Sequence, residues 1–332
     1  MAPQILSVLL TCGVLTLLEG PADAGLYHTK TAGNCQDCHK SATPSHATTP
    51  IAPGVNPGPQ QRSLALSNIN QTCLTCHSGV GGQGDGPSAV LLNTSSSLVR
   101  QAGFLNGPSG AAHSGHTLGS TQRAPGGTWT PGPQGLTCTD CHDPHGQDGQ
   151  YRNLVLRPGS ATEDRPVTFV LGQVNDPRKD IWMRSGPEGM AKYDARNIYF
   201  NQPQAERSAY GEWCQGCHSA FHGGARSPNM RASRGWLRHP TADARLGGGP
   251  SQHSSLSRYK ALSNRVPTMS ASGSWPAQDN TPSCMSCHKA HGNGNPFGLL
   301  YMAGQGQLTE AGDSEGRTYV DLCHQCHTQG LG

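Results

Sequence analysis

The chain has 332 residues, enough for one large domain or two small ones, and a formal net charge of +3. Only 34% of its residues are hydrophobic and 5% are aromatic, whereas 44 are glycine and 25 are proline, which excludes an ordinary aliphatic core. The 13 cysteines and 16 histidines indicate instead that bound groups supply the apolar surface that offsets the conformational entropy of ordering the chain.

Residues 1–24 have the pattern of a secretory signal peptide. Residues 5–18 are mostly apolar but too few to span a bilayer, and Ala-Asp-Ala at 22–24 forms a small-x-small cleavage site. A lipoprotein attached through Cys12 is the alternative. No later stretch is apolar enough to cross a membrane. We therefore expect residues 25–332 to form one secreted domain, extracellular or at the outer cell surface, with the periplasm as the alternative.

One motif, Cys-x-x-Cys-His, occurs six times and uses every cysteine of residues 25–332. It is the attachment signature of c-type haem, because two thiols three residues apart reach two vinyl groups of one porphyrin and the next histidine is the proximal iron ligand. We therefore predict six covalently attached haem c groups. Their attachment sites are Cys35, Cys38 and His39; Cys73, Cys76 and His77; Cys138, Cys141 and His142; Cys214, Cys217 and His218; Cys284, Cys287 and His288; and Cys323, Cys326 and His327.

Disulfide bonds and zinc ribbons are the other common uses of paired cysteines in an exported chain. Neither requires a histidine directly after the second cysteine, and all six pairs here have one. The repeated motif therefore favours haem over both.

Ten further histidines are available as distal ligands, so the six irons have histidine in surplus. Methionine is the other usual distal ligand, but no methionine of residues 25–332 lies in a setting that favours it. We therefore predict bis-histidine ligation throughout, with low reduction potentials. His113 competes with the preferred His116, while His253 and His324 are expected at the surface. The distal ligands predicted from their positions in the sequence are His28, His116, His145, His222, His239 and His291.

Two of these histidines follow a proximal histidine by three residues. His145 follows His142 in CTDCHDPHG, and His291 follows His288 in CMSCHKAHG. Residues three apart on a helical turn project to the same side, so they cannot bind opposite faces of one iron. Each is therefore predicted to ligate a neighbouring haem, and the same argument applies to His222.

The spacing of turn residues predicts sparse secondary structure, with helices of one to three turns at the motifs. Residues 52–59 and 125–135 are predicted to be loops, and residues 167–174 and 317–322 to be short strands. The segments after His142 and His288 are similar enough to indicate an internal repeat. The predicted fold class is mostly coil with short helices and few short strands, an elongated multihaem cytochrome c whose core is the haem stack.

The positive charge does not indicate nucleic-acid binding. Residues 1–24 hold two acidic and no basic residues, so the remaining chain carries a charge of +5. Six haems add about twelve propionates and about six ferric charges, which gives a net charge near −1 when oxidised and near −7 when reduced. We therefore expect no nucleic-acid partner.

The ordered motifs and their flanks resemble the extracellular hexahaem cytochromes that polymerise into conductive filaments in metal-respiring bacteria. The resemblance rests on His28 before the first motif, QTCLTCHSG followed by GDGPS, CTDCHDPHG, CMSCHKAHG and the terminal LCHQCH. It implies bis-histidine irons, head-to-tail subunits, and a histidine after the first motif that ligates a haem of the next subunit. That histidine is replaced by Ala42 here, and the nearest substitute is His46.

The leading functional hypothesis is an electron conduit, not an enzyme, whose partners are further copies of itself, other multihaem cytochromes, and extracellular metal oxides or electrodes. The alternative is a soluble monomeric electron shuttle in the periplasm or at the outer surface. A third hypothesis, from another class, is a multihaem reductase of nitrite or a similar small molecule. Such an enzyme needs an open iron position, which surplus histidine and six complete motifs do not favour.

Overall fold

A computed structural model describes slightly less than half of the chain. No helix in the described part is long and apolar enough to cross a membrane. The described residues are 38, 68–78, 90–91, 102–106, 115–146, 150–174, 196–200, 209–221, 246–247, 254–269 and 281–327.

Short helices lie at the motifs, as predicted. Four of the five α-helices whose bounds the described residues give contain motif residues, and the third motif begins with the one-turn helix Cys138–Asp140. None of these five exceeds nine residues, because glycine, proline and the motif turns interrupt the helical runs. The α-helices are α1 Ile69–His77, α2 Ala209–Gln215, α3 Leu256–Ala261, α4 Cys284–Cys287 and α5 Tyr319–His324.

The described strands form three separate antiparallel pairs. The prediction of a strand at residues 167–174 is confirmed by β1, and residues 125–135 form turns and coil, as expected for a loop. The pairs are β1 Phe169–Val174 with β2 Arg196–Phe200, β3 Thr268–Met269 with β4 Thr281–Pro282, and β5 Leu308–Thr309 with β6 Gly312–Asp313.

The predicted strand at residues 317–322 is wrong, because this segment starts helix α5. Thr318 is the N-cap, and its hydroxyl accepts a hydrogen bond from the Val320 amide at 3.2 Å. The Asp321 carboxylate accepts from the amides of Arg317 and Thr318 at 2.8 and 2.9 Å. This capping box satisfies amides at the helix start and overrides the strand preference of the apolar residues.

A small apolar core lies against the motif cysteines. Tyr151, Tyr259 and Met302 are among its most buried members, and the side chains of Cys214 and Cys287 pack on its edge. Seven of its thirteen buried members among the described residues are leucine or valine, so the core is aliphatic but small. The predicted mostly-coil fold class is confirmed in the described residues.

Candidate haem sites

The structure describes the second to sixth motifs fully and the first only through Cys38. None of the described cysteines is in a disulfide, so their thiols are available for thioether bonds. Some predicted site residues lie outside the described part of the chain and stay predictions; they are Cys35, His39, His28, His46, His222 and His239.

Three proximal histidines are oriented by backbone carbonyls. Nδ1 of His142 donates to Arg152 O at 2.9 Å, Nδ1 of His218 to Pro125 O at 2.7 Å, and Nδ1 of His288 to Phe297 O at 2.9 Å. A carbonyl oxygen can only accept, so the proton is on Nδ1 and the lone pair is on Nε2. This is the arrangement that metal-binding histidines use to fix their tautomer and orientation.

Two of these carbonyls belong to equivalent tight turns. Arg152 and Phe297 have positive φ angles of 56° and 60°, and each is followed by a second positive-φ residue. The turns close through Leu154 N to Tyr151 O and Leu299 N to Pro296 O, both at 3.2 Å. Two successive left-handed residues are typical of a type I′ turn, which aims the carbonyl at the imidazole. The internal repeat predicted after His142 and His288 therefore has a structural counterpart.

His142 faces His291, which comes from the fifth motif. Their ring centroids are 6.0 Å apart, with an interplanar angle of 72°. His291 is held by its amide, which donates to Ala102 O at 2.5 Å. Burial, followed by the nearby His142, lowers the pKa of His291 to about 3. It is therefore neutral at physiological pH, the form that binds iron.

His218 faces His116 in the same way. Their ring centroids are also 6.0 Å apart, at an interplanar angle of 44°. Nδ1 of His116 donates to Ala290 O at 2.5 Å, which leaves its Nε2 for a ligand. Burial lowers the pKa of His116 and offsets the opposing effect of that carbonyl. The structure thus brings each of two predicted distal histidines beside a proximal histidine of a different motif.

Both pairs fit a haem iron between them. Two metal–imidazole bonds of about 2 Å, plus the ring radii, place two axial ligands about 6 Å apart between centroids. The three large hydrophobic side chains that are exposed among the described residues, Phe221, Phe297 and Tyr319, all lie beside a motif. These apolar surfaces suit a porphyrin face. The residues present therefore fit haem c.

His145 and His324 have different surroundings. The side chain of His145 is 70% exposed and its Nδ1 lies 3.8 Å from the Asp143 carboxylate, so its assignment as a distal ligand stays a prediction. His324 lies at the end of α5, where its carbonyl accepts from Arg258 Nε at 2.7 Å. No structural feature of His324 favours iron binding over the predicted surface position.

Thiols of different motifs are in contact, which sequence analysis missed. The Cys73 thiol hydrogen-bonds that of Cys138, and the Cys214 thiol that of Cys284. The first contact lowers the pKa of Cys73 to about 7, while burial raises that of Cys287 to about 12. Such contacts join residues 65 or 70 positions apart, and no local pattern reveals them.

Comparison with known proteins finds similarity to a c-type cytochrome, the class of protein that the motifs predict. The chain is 23% identical to C-type cytochrome OmcS of Geobacter sulfurreducens, over 94% of this chain and 88% of the relative. The chain is therefore similar to this c-type cytochrome along nearly its whole length. Haem c held by the six motifs would supply an iron that changes oxidation state by one electron.

Two solved structures are similar to this chain. The Outer Membrane Cytochrome S filament of G. sulfurreducens has a TM-score of 0.44 and 16% identity, with 92% of this chain and 99% of that chain covered. The OmcS nanowires of the same organism have a TM-score of 0.40 and 18% identity, with 90% and 94% covered. No family model matches the chain.

Proposed function

We propose that this cytochrome is a secreted electron-transfer protein with six bis-histidine haem c groups. The observation that carries the proposal is the presence of two pairs of neighbouring histidines. His142 pairs with His291 and His116 with His218, and in each pair the ring centroids are 6.0 Å apart. Two imidazoles on one iron leave no position for a substrate, which suits electron transfer and not catalysis. The proposed haem-attachment residues are the two cysteines and the histidine of each of the six motifs given above.

The protein's own part is to hold the imidazoles neutral and rigid. Carbonyls of Arg152, Pro125 and Phe297 fix the proximal rings, and the Ala290 carbonyl fixes His116. Rings that do not reorient when the iron changes its charge keep the energetic cost of each electron transfer small.

The pairs also support an assignment of two distal ligands. His291 is proposed to ligate the haem attached at Cys138 and Cys141, and His116 the haem attached at Cys214 and Cys217. His291 then serves a haem of another motif, as the same-side argument requires. The remaining four irons are proposed to take their distal ligands from His28, His145, His222, His239 and, from a neighbouring subunit, His46.

The cytochrome is further proposed to polymerise head to tail, with His46 as a ligand to a haem of the next subunit. The support is the similarity to OmcS, a relative that forms filaments, and the position of His46 shortly after the first motif. A contact between two different surfaces does not close on itself and therefore gives a filament. Other multihaem cytochromes and extracellular metal oxides or electrodes are the proposed exchange partners.

The haem number and ligation are tested on the exported holoprotein. Intact-mass analysis is expected to give six bound haems, and the ferric spectrum is expected to be entirely low-spin. His116→Ala should convert one haem to high-spin, whereas the matched substitution His324→Ala should not. Fewer than six haems, or a fully low-spin His116→Ala variant, would contradict the proposal.

The filament is tested separately with His46→Ala. This variant is expected to keep its haems, to show one high-spin iron and to stay monomeric in electron micrographs. Filaments of His46→Ala with a fully low-spin spectrum would reject the role of His46. A monomeric wild-type holoprotein would favour the electron shuttle instead.

A further inference from the structure

The second and third motifs are held together by one buried side chain. Asn70 lies on the first turn of α1, three residues before Cys73, and is 7% exposed. Its Nδ2 donates to Leu136 O at 3.0 Å, and its Oδ1 accepts from the Cys138 amide at 2.9 Å. One carboxamide thus uses both ends to join the helix of one haem motif to the first residue of the next.

The capping of α1 fixes where this carboxamide points. Asn68 is the N-cap, and its Oδ1 accepts from the amide of Asn70 at 2.8 Å. The buried face of α1 consists of Asn70 and Thr72, whereas most of the helix is partly exposed. The contact between the two motifs therefore depends on a polar anchor and not on apolar packing, so its geometry is set by hydrogen-bond directions.

The side chains of Cys73 and Cys138 are neighbours beside this anchor. Each of these sulfurs is a point of attachment of its own macrocycle, and attachment replaces the thiol proton with a thioether bond. Neighbouring sulfurs bring the edges of two porphyrins together, and such closeness determines how strongly two haems interact.

We infer that Asn70 is a positioning residue that fixes the haem of the second motif against the haem of the third and thereby sets the electronic coupling between them. The inference rests on the proposed function in requiring haem at both motifs. It adds which two haems are neighbours and which side chain aligns them. Asn70 does not touch iron and is not needed to form either thioether bond.

The test compares Asn70→Leu with a matched buried asparagine. Leucine has the same branched outline as asparagine and is somewhat larger, but it makes neither hydrogen bond, so the motifs lose their alignment while the space stays filled. Asn264 is 2% exposed and its Nδ2 donates to Gly306 O at 2.7 Å, so it links two segments outside the second and third motifs. Asn264→Leu therefore controls for the general loss of a buried amide.

The readout is the Soret circular dichroism of the ferric holoprotein, in which neighbouring porphyrins give a bisignate couplet. A Cys73→Ala/Cys76→Ala variant cannot attach the second haem, and its difference from wild type defines the contribution of that haem. Asn70→Leu is expected to keep the wild-type haem content by mass and a low-spin spectrum, yet to lose most of this contribution. Asn264→Leu should retain it.

Asn70→Ser provides a milder second variant, since serine is too short to reach both backbone groups. Either Asn70 variant that retains the couplet at full haem content overturns the inference. Loss of haem from both Asn70 variants, with full content in Asn264→Leu, also overturns it, because Asn70 would then serve attachment and not alignment. Absence of haem from the wild-type protein would instead reject the proposed function.

Discussion

Phe297 has a backbone conformation that large side chains rarely adopt, with φ at 60°. Its carbonyl accepts the hydrogen bond from Nδ1 of His288, while its side chain is 68% exposed. The cost of this conformation is about 1–2 kcal/mol, and the side chain recovers little of it through packing on other residues of the protein. At the residue scale, the strain is explained by the placement of the carbonyl against the imidazole.

Phe297→Pro is expected to raise the reduction potential of the fifth haem. Proline cannot adopt positive φ, so the turn must change and the carbonyl leaves His288. An imidazole without this partner donates less charge to iron, which favours the reduced state. Potentiometric titration of the holoprotein measures the change.

Phe297→Gly is the control for that substitution. Glycine adopts the same turn without strain, so its potentials should match wild type and its free energy of unfolding should change by no more than about 1 kcal/mol. Unchanged potentials in Phe297→Pro at full haem content would show that the carbonyl does not tune the haem.

At the scale of elements, the histidine pairs depend on close contacts between loops. Residues 102–104 run beside the fifth motif, where the Phe104 amide donates to Gly292 O at 2.9 Å. A Cβ on Gly103 would lie 1.9 Å from that oxygen. The strand-like contact therefore needs glycine at position 103, because the backbone here packs directly against the backbone of Gly292.

Gly103→Ala is accordingly expected to displace His291 from His142 and to convert one haem to high-spin. Gly119→Ala is the matched control, because Gly119 has a similar φ of 79° and nothing lies within 4 Å of the added Cβ. Both variants carry the same backbone strain, but only the first creates a clash. Resonance Raman spectra report the spin state, and equal spectra for the two variants would contradict the expected displacement.

The stability of helix α5 is predicted to depend on pH. Hydrogen bonds from the amides of Arg317 and Thr318 lower the pKa of Asp321 below its ordinary value. Its stabilising effect is therefore fully present above the ordinary pKa of about 4 and is lost as pH falls through the lower folded-state value.

Asp321→Asn is expected to reduce the free energy of unfolding at pH 7 by about 0.5 to 1 kcal/mol, a modest value because water screens this exposed site. The difference between variant and wild type should shrink once the pH falls below about 4. Denaturant unfolding at several pH values measures it. A difference that is constant with pH would show that the carboxylate charge does not matter.

For the whole molecule, the proposed haems would add apolar surface to a small core and would also change the sign of the charge. The sequence alone has an isoelectric point near 8.2. With the six haems proposed, about twelve propionates and six ferric centres would bring residues 25–332 from +5 to about −1, and reduction would remove about six further positive charges. The fully reduced protein is therefore expected near −7.

The holoprotein is accordingly expected to focus below pH 7 and to be held more strongly by an anion exchanger after reduction with dithionite. Elution at two oxidation states under oxygen-free conditions measures the change. Basic behaviour of the holoprotein, or elution that does not depend on oxidation state, would mean fewer haems than six.

The motifs in the sequence determined the chemistry of this protein, because thioether attachment and proximal ligation require only residues adjacent in the chain. Short helices at the motifs and the strand near Phe169 followed from local pattern as well. The error at residues 317–322 arose because the Thr318–Asp321 capping signal was outweighed by apolar residues with strand preference.

Only the tertiary structure decided which motifs meet. His291 lies beside His142, His116 beside His218, and the thiol of Cys73 beside that of Cys138. Where the structure describes the chain between such partners, it is mostly coil, and coil has no periodicity from which a direction or a distance can be read. The order of neighbouring haem sites therefore depends on particular long-range contacts, such as the carboxamide of Asn70, that no local pattern encodes.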